Sequence, residues 1–229
     1  MRPQLSCAVG FALALAVSAA HAQGFRFSEQ PDEEKAEREA RENRIAVDVS
    51  TPCRADLKSR KIMVVIGEER SDGYLVAQQQ NYGPHYEAIN RRLRALGLRT
   101  FTPEEIRRQV AQAEVDAVMR NDPDAALSAQ KRLGASFVLR GLIRSQASAN
   151  RVMAVNQVSV TMGFTLAGSD GRPVASAEAR SDSYAGADVA RMAQTLVEEQ
   201  ADAVVATLYS QYCRNAGFGA PAPKAAKKK

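Results

Sequence analysis

From Val152 to Leu166 the apolar positions fall on even numbers, through Val152, Ala154, Val158, Val160, Met162, Phe164 and Leu166. Gln157, Ser159, Thr161 and Thr165 hold odd ones. A period of two sets the first group against a core and leaves the second on a wet face of the same strand. Gly168, Ser169, Asp170 and Gly171 supply the small residues and positive-φ tolerance of a hairpin loop, so the chain is expected to return antiparallel from Val174 to Tyr184. Beyond Ala187 the apolar spacing lengthens to three and four residues, through Val189, Met192, Ala193, Leu196, Val197, Val204 and Leu208. That is the stripe of a long amphipathic helix, which needs a sheet to lie on. Arg151 to Cys213 therefore reads as the spine of a domain.

Upstream, Lys61-Ile62-Met63-Val64-Val65-Ile66 before Gly67 is a short continuous apolar run, expected as a central strand buried on both faces. Ile45 to Val49 is expected as a short edge strand. A polar loop from Glu68 leads to Gly83-Pro84, and Tyr86, Ile89, Leu93 and Leu96 then mark a helix closing at Gly97. Leu98 to Phe101 reads as a short strand. Thr102, Pro103 and Glu105 spell a capping box with proline at the first helical position, and that helix is expected to carry Ile106, Val110, Ala113 and Val118 inward. Asn121-Asp122-Pro123 stops it and starts another, ending at Leu133-Gly134. Ser136 to Ile143 returns to strand. The expected fold is α/β (α+β), a mixed sheet of about five strands with a C-terminal hairpin and a long helix packed on it.

Composition and the termini add a compartment. Arg2, the apolar run from Ala8 to Ala20 and the small-x-small pattern Ala20-His21-Ala22 predict a cleavable leader over 1–22, and hence export to the periplasm. Cys7 precedes the apolar run, whereas a lipidated cysteine follows it. Residues 23–44 are almost all charge and alanine and read as a solvated spacer or exposed helix. A single domain is expected over 45–214, with a flexible basic tail over 215–229. The formal net charge is +5; Arg2 supplies one of these charges and Lys224, Lys227, Lys228 and Lys229 four, so the body is neutral. Nothing here suggests a nucleic-acid partner. The lysine tail reads as solvated, the functional alternative being contact with an anionic membrane surface or cell-wall polymer.

Once the leader is removed, Cys53 and Cys213 are the remaining cysteines and His85 the remaining histidine. In an oxidising compartment the cysteine pair reads as a disulfide, against the alternative of two unrelated thiols. The inventory is short for catalysis. A zinc site lacks ligands, and a Ser-His-Asp arrangement would have to use His85 at a helix start. Glu68, Glu69 and Asp72 offer an acid–base pair or a hard-cation site, but adjacent loop carboxylates are usually solvated. Tyr74, Tyr82 and Tyr86 are candidates for an aromatic patch, with Tyr86 better placed to pack on its own helix. No phosphate cradle is present, and no cofactor or metal is expected.

The buried strand Lys61 to Ile66, the helix ending Leu93-x-x-Leu96-Gly97, the segment Gly134-Ala135-Ser136-Phe137-Val138-Leu139-Arg140-Gly141, the hairpin with Asp170-Gly171-Arg172-Pro173-Val174-Ala175-Ser176 and the final alanine-rich helix together resemble a family of bacterial envelope domains. These include the N-terminal domain of TolB, the periplasmic domain of the curli secretion channel CsgG, the penicillin-binding-protein activator LpoB and the middle domain of the flagellar assembly protein FlgT. The likeness covers Lys61 to Cys213. It implies a non-enzymatic periplasmic adaptor or assembly protein, acting alone or as a homo-oligomeric ring. Its partner would be an envelope protein of flagellar, pilus, curli-type or peptidoglycan-synthesis machinery. Glu178, Arg180 and Asp182 on the return strand are too polar to face lipid, which argues against a pore. The candidate contact residues are Glu68, Glu69, Asp72, Tyr74, Tyr82 and His85 around the acidic loop, with Gln157, Ser159 and Thr161 on the wet strand face. The competing expectation is a periplasmic hydrolase or small-ligand-binding protein that uses the Glu68 to Tyr86 loop.

Overall fold

The computed structural model describes residues 30–69, 75–77, 83–150, 155–185 and 188–218. In chain order the elements are α1 (Gln30–Val49), α2 (Arg54–Leu57), β1 (Lys61–Glu69), β2 (Leu75–Ala77), α3 (Pro84–Ala95), β3 (Arg99–Thr100), α4 (Pro103–Gln109), α5 (Gln112–Met119), α6 (Pro123–Leu133), β4 (Phe137–Asn150), β5 (Val155–Ala167), β6 (Pro173–Ala185) and α7 (Val189–Asn215). The expectations for a leader over 1–22 and for the lysines at 224–229 lie outside the described residues, as do Arg151, Val152, Ala154, Asp72, Tyr74 and Tyr82. Among the described residues no helix is long and apolar enough to cross a membrane.

The strands form one mixed sheet in the order β2-β1-β4-β5-β6. On its outer side β1 is shared: β3 runs parallel to its start at Lys61 and Ile62, and β2 runs antiparallel to its end at Gly67 to Glu69. On the inner side β1 pairs parallel with β4 from Ile62 to Glu69. β4, β5 and β6 form a long antiparallel meander. The α/β expectation is met, with a mixed sheet and a long final helix lying on the hairpin.

Alternation along the strands sorts two cores. Ile62 and Val64 of β1, Leu139 and Ile143 of β4, and Val158, Val160, Met162, Phe164 and Leu166 of β5 face α3 and α7, where Ile89, Leu93, Leu196, Val197, Val204 and Leu208 meet them. Met63, Val65 and Val138 face the other way, against Ile106, Val110, Val115, Val118, Ala129 and Leu133 of α4, α5 and α6. β1 is thus buried on both sides, as its unbroken apolar run requires. Where β4 and β5 cross, Gly141 lies opposite Phe164, whose ring occupies the space a Cβ at 141 would need.

Local signals explain the helix ends. The Thr102 hydroxyl accepts from Glu105 N–H while the Glu105 carboxylate accepts from Thr102 N–H, closing the capping box. Asp122 Oδ1 accepts from the N–H groups of Asp124 and Ala125 at the start of α6, and Gly134 takes the left-handed conformation at its end, with φ of 61°. On the outer face of the main core, Arg92 of α3 clasps α7 through Asp202 and Glu198, at 2.8 and 3.0 Å.

Cys53 and Cys213 are joined in a disulfide, with Cα atoms 5.7 Å apart across 160 residues of sequence. Around it, Tyr209 donates its hydroxyl to Thr51 C=O and accepts from Cys53 N–H, and Tyr212 donates to Asp56. The entry of the domain is thereby fastened to the end of α7.

Three expectations are corrected. Ile45 to Val49 is the last part of α1, not an edge strand: Arg41, Ile45, Asp48 and Val49 are half-buried at helical spacing while Val47 is 70% exposed. The helix expected from Thr102 is two helices, because Val110 adopts an extended backbone. The break re-aims the second piece, so that Ala113 is exposed and Val115 takes the inward place. Finally, Glu68 and Glu69 are not loop residues. β1 runs through both, because β2 and β4 supply hydrogen-bonding neighbours on either side.

Candidate interaction face

The helices do not cover the whole sheet. α4, α5 and α6 lie over β1 and the start of β4, and their shelter ends at Arg140, whose Nε donates to Met119 C=O at 2.8 Å. β4, β5 and β6, which are 14, 13 and 13 residues long, run on past that point. On β5 and β6 one face lies under α7, and the other is open. Gln157, Ser159 and Thr161 of β5, Arg144, Gln146 and Ser148 of β4 and Glu178, Arg180, Asp182 and Tyr184 of β6 belong to the open face, as strand alternation dictates.

Cross-strand register arranges these side chains in rows. Gln157 stands between Ser148 and Tyr184, Ser159 between Gln146 and Asp182, and Thr161 between Arg144 and Arg180. Directly opposite residues of antiparallel strands bring their Cβ atoms to about 4.5–5.5 Å, so each row is a continuous strip of contact groups. Gln146, Ser148, Gln157, Ser159, Arg180 and Asp182 line a shallow hollow of about 400 Å³. Within it Arg180 Nε pairs with Asp182 Oδ2 at 3.3 Å. Tyr184 is 55% exposed at the rim. The three strand residues singled out in the sequence, Gln157, Ser159 and Thr161, thus sit together at the centre of one surface. Arg180, Asp182 and Tyr184 of β6 and Gln146 of β4 complete it; the alternation of β6 between small and polar residues is the sequence signal for the first three, whereas Gln146 joins through register with β5.

The acidic group resolves differently. Glu68 and Glu69 are neighbours on a strand, so they point to opposite faces. Glu68 reaches α3, where its Oε1 lies 3.0 Å from His85 Nδ1. Glu69 reaches the open face and pairs with Arg144. The two carboxylates therefore do not converge, which removes them as an acid–base couple or as joint ligands of one cation. His85, with 14% of its side chain exposed, fastens the first turn of α3 to the end of β1. Tyr86 is 5% exposed and packs in the main core. Among the described residues no cluster of His, Cys, Asp and Glu is arranged to hold a metal ion.

As a chemical surface the open face offers amides, hydroxyls and charges of both signs, namely Arg144, Arg180, Glu69, Glu178 and Asp182. Such a set exchanges hydrogen bonds and short-range ion pairs with a polar partner. Among the described residues no hydroxyl of this face is hydrogen-bonded to a basic side chain.

No protein-family model matches the chain, and no curated protein does. Solved structures do. A PelC dodecamer from Paraburkholderia phytofirmans is 18% identical, aligned over 64% of this chain and 88% of that one at a TM-score of 0.37. A minor lipoprotein from Acinetobacter baumannii is 11% identical over 67% and 93%, at 0.40. The C-terminal domain of LpoB from Salmonella enterica is 13% identical over 57% and 93%, at 0.34. At these identities and scores the likenesses carry no inference about function.

Proposed function

We propose that this chain is a non-enzymatic adaptor of the bacterial cell envelope, exported to the periplasm, which holds a protein partner on the open face of β4, β5 and β6. The observation that carries the reading is the central row Gln146, Ser159 and Asp182 with its neighbours. It is a solvent-facing, mixed-charge strip on three hydrogen-bonded strands, and Val158, Val160 and Met162 on the opposite side of β5 are buried in the core that α7 covers. A sheet exposed on one side needs only a polar surface. A strip with self-paired Arg180 and Asp182 beside an exposed tyrosine also has what protein interfaces favour, an arginine and an aromatic among adaptable polar groups. The leader-like start, the cysteine pair and the resemblance of Lys61 to Cys213 to envelope domains support the compartment. The divergence of Glu68 and Glu69 favours binding over hydrolysis.

The test replaces Ser159, between Gln146 and Asp182, with arginine and Thr161, between Arg144 and Arg180, with glutamate, so that neither new charge meets a like one across the strands. Both lie on the exposed face away from either core, so the melting temperature is expected to stay within the range of surface substitutions. Complexes recovered by crosslinking from intact envelopes are expected to disappear. Recovery of the same complexes from the double variant, or of free protein alone from the wild type, contradicts the reading.

A further inference from the structure

We propose that the outer edge of β6, from Glu178 to Tyr184, pairs antiparallel with the same edge of a second copy of this chain. In the inferred register Ser181 sits on the twofold axis and Arg180 faces Asp182 of the second copy.

β6 ends the strand order and pairs with β5 alone among the described strands. Its edge is treated unequally along its length. Near the start, α7 side chains occupy it: Ser176 N–H donates to Gln211 Oε1 at 2.9 Å, and Asn215 Nδ2 donates to Val174 C=O at 2.6 Å. Ser176 therefore turns its backbone groups outward, and the period of two makes Glu178, Arg180, Asp182 and Tyr184 the next outward residues. Among the described residues nothing takes the place of Gln211 and Asn215 beyond Ser176. An uncapped row of backbone donors and acceptors is a template for another strand.

Two independent features choose the same register. The first is the extent of the free edge, 178 to 184, which is symmetric about Ser181. An antiparallel copy centred there finds a partner for every outward group, about eight backbone hydrogen bonds in all. The second is charge. Centring on Ser181 sets Arg180 against Asp182 twice, related by the axis. Centring on Arg180 instead sets Glu178 against Asp182 and Arg180 against itself, and centring on Asp182 sets that carboxylate against itself; like charges directly opposite are destabilising. Charges on an edge strand commonly guard against pairing. Here they alternate in sign, so one register escapes the guard.

A twofold axis through paired antiparallel strands stands perpendicular to the sheet. It therefore sets both open faces on the same side, and their rows run on across the junction as an isologous interface. The inference does not require the partner-binding reading.

The molecular mass of the full chain, measured by sedimentation equilibrium over a range of concentration, tests it. The wild type is expected to reach a dimer. Arg180→Asp leaves acid at both positions and Asp182→Arg leaves base at both, so each variant alone is expected to weaken association at least tenfold. An equimolar mixture of the two restores Asp–Arg contacts at both crossings and is expected to give a heterodimer, which also shows that both variants fold. In a separate arm, Ser181→Cys brings two thiols together at the axis, where Cα atoms of a non-hydrogen-bonded pair lie about 4.5 Å apart, and oxidation is expected to yield a linked dimer. A wild type that stays monomeric, single variants that associate like the wild type, or a mixture that forms no heterodimer each overturn the proposal. None of these outcomes bears on the Ser159 and Thr161 test of partner binding.

Discussion

The hydroxyl of Tyr212 donates to Asp56 Oδ2 at 2.6 Å, bringing the residue before the second disulfide cysteine onto a helix that begins just after the first. Arg60 completes the group. Its guanidinium pairs with Asp56 at 2.7 Å and lies 5.8 Å from the centroid of Phe137, whose ring meets Tyr212 edge-on at 5.1 Å. Covalent, polar and aromatic contacts thus fasten the same two segments.

That group makes stability depend on pH at both extremes. The Tyr212 hydroxyl, then Arg60, hold Asp56 below the usual carboxylate range. A carboxylate with a lowered folded-state value contributes stability that is present above the ordinary Asp range and is lost as pH falls through the folded value. Burial, then the bond to Asp56, push Tyr212 up to about 12. Its contribution is complete below the ordinary tyrosine value and is lost as pH rises toward about 12. Tyr212→Phe is expected to cost about 1–2 kcal/mol at neutral pH and to flatten both arms. Urea denaturation followed across pH in the two proteins checks this.

Reduction of the Cys53–Cys213 disulfide is expected to destabilise strongly, because it releases a loop spanning 160 residues of sequence. The chain-entropy model puts the ceiling at about 5 kcal/mol. The midpoint of denaturation with and without reductant measures the loss. Since Tyr209 and Tyr212 still hold the same ends, the reduced protein is expected to fold, with faster hydrogen exchange in the last turns of α7.

Gly141 and Phe164 predict a steric cost. A Cβ on residue 141 would lie 2.3 Å from Phe164 Cε1 and 3.2 Å from Ile66 Cγ1. Gly141→Ala is expected to lose about 1–3 kcal/mol through overpacking. Phe164→Leu in the same chain should recover part of it, so a double-mutant cycle on unfolding free energy is the check.

Much of this fold is legible in the sequence where burial is one-sided. β5 and α7 read correctly because each has one apolar face, and a single period then fixes which residues are inside. The capping box at Thr102 and the Asp122-Pro123 start read correctly because their chemistry is local. The misreadings share a cause as well. Val110 is apolar whether it continues a helix or turns a corner, so the break before α5 leaves no mark in the pattern. β1 was ended at Gly67 because Glu68 and Glu69 are charged; their strand conformation comes from β2 and β4, neighbours far away in the chain. β2 itself is three residues in a polar stretch, too short to show a period. For the site, the centre was visible as Gln157, Ser159 and Thr161, while the rows that complete it depend on register with β4 and β6.

The binding role of that face is tested most directly by placing a photo-crosslinking amino acid at Ser159 and, separately, at Gln194, which is exposed on α7. In cells, Ser159 is expected to trap one discrete envelope protein with high yield and Gln194 none. Equal trapping from both positions, or none from Ser159 while the protein remains folded and exported, would contradict a partner-binding role for the open sheet.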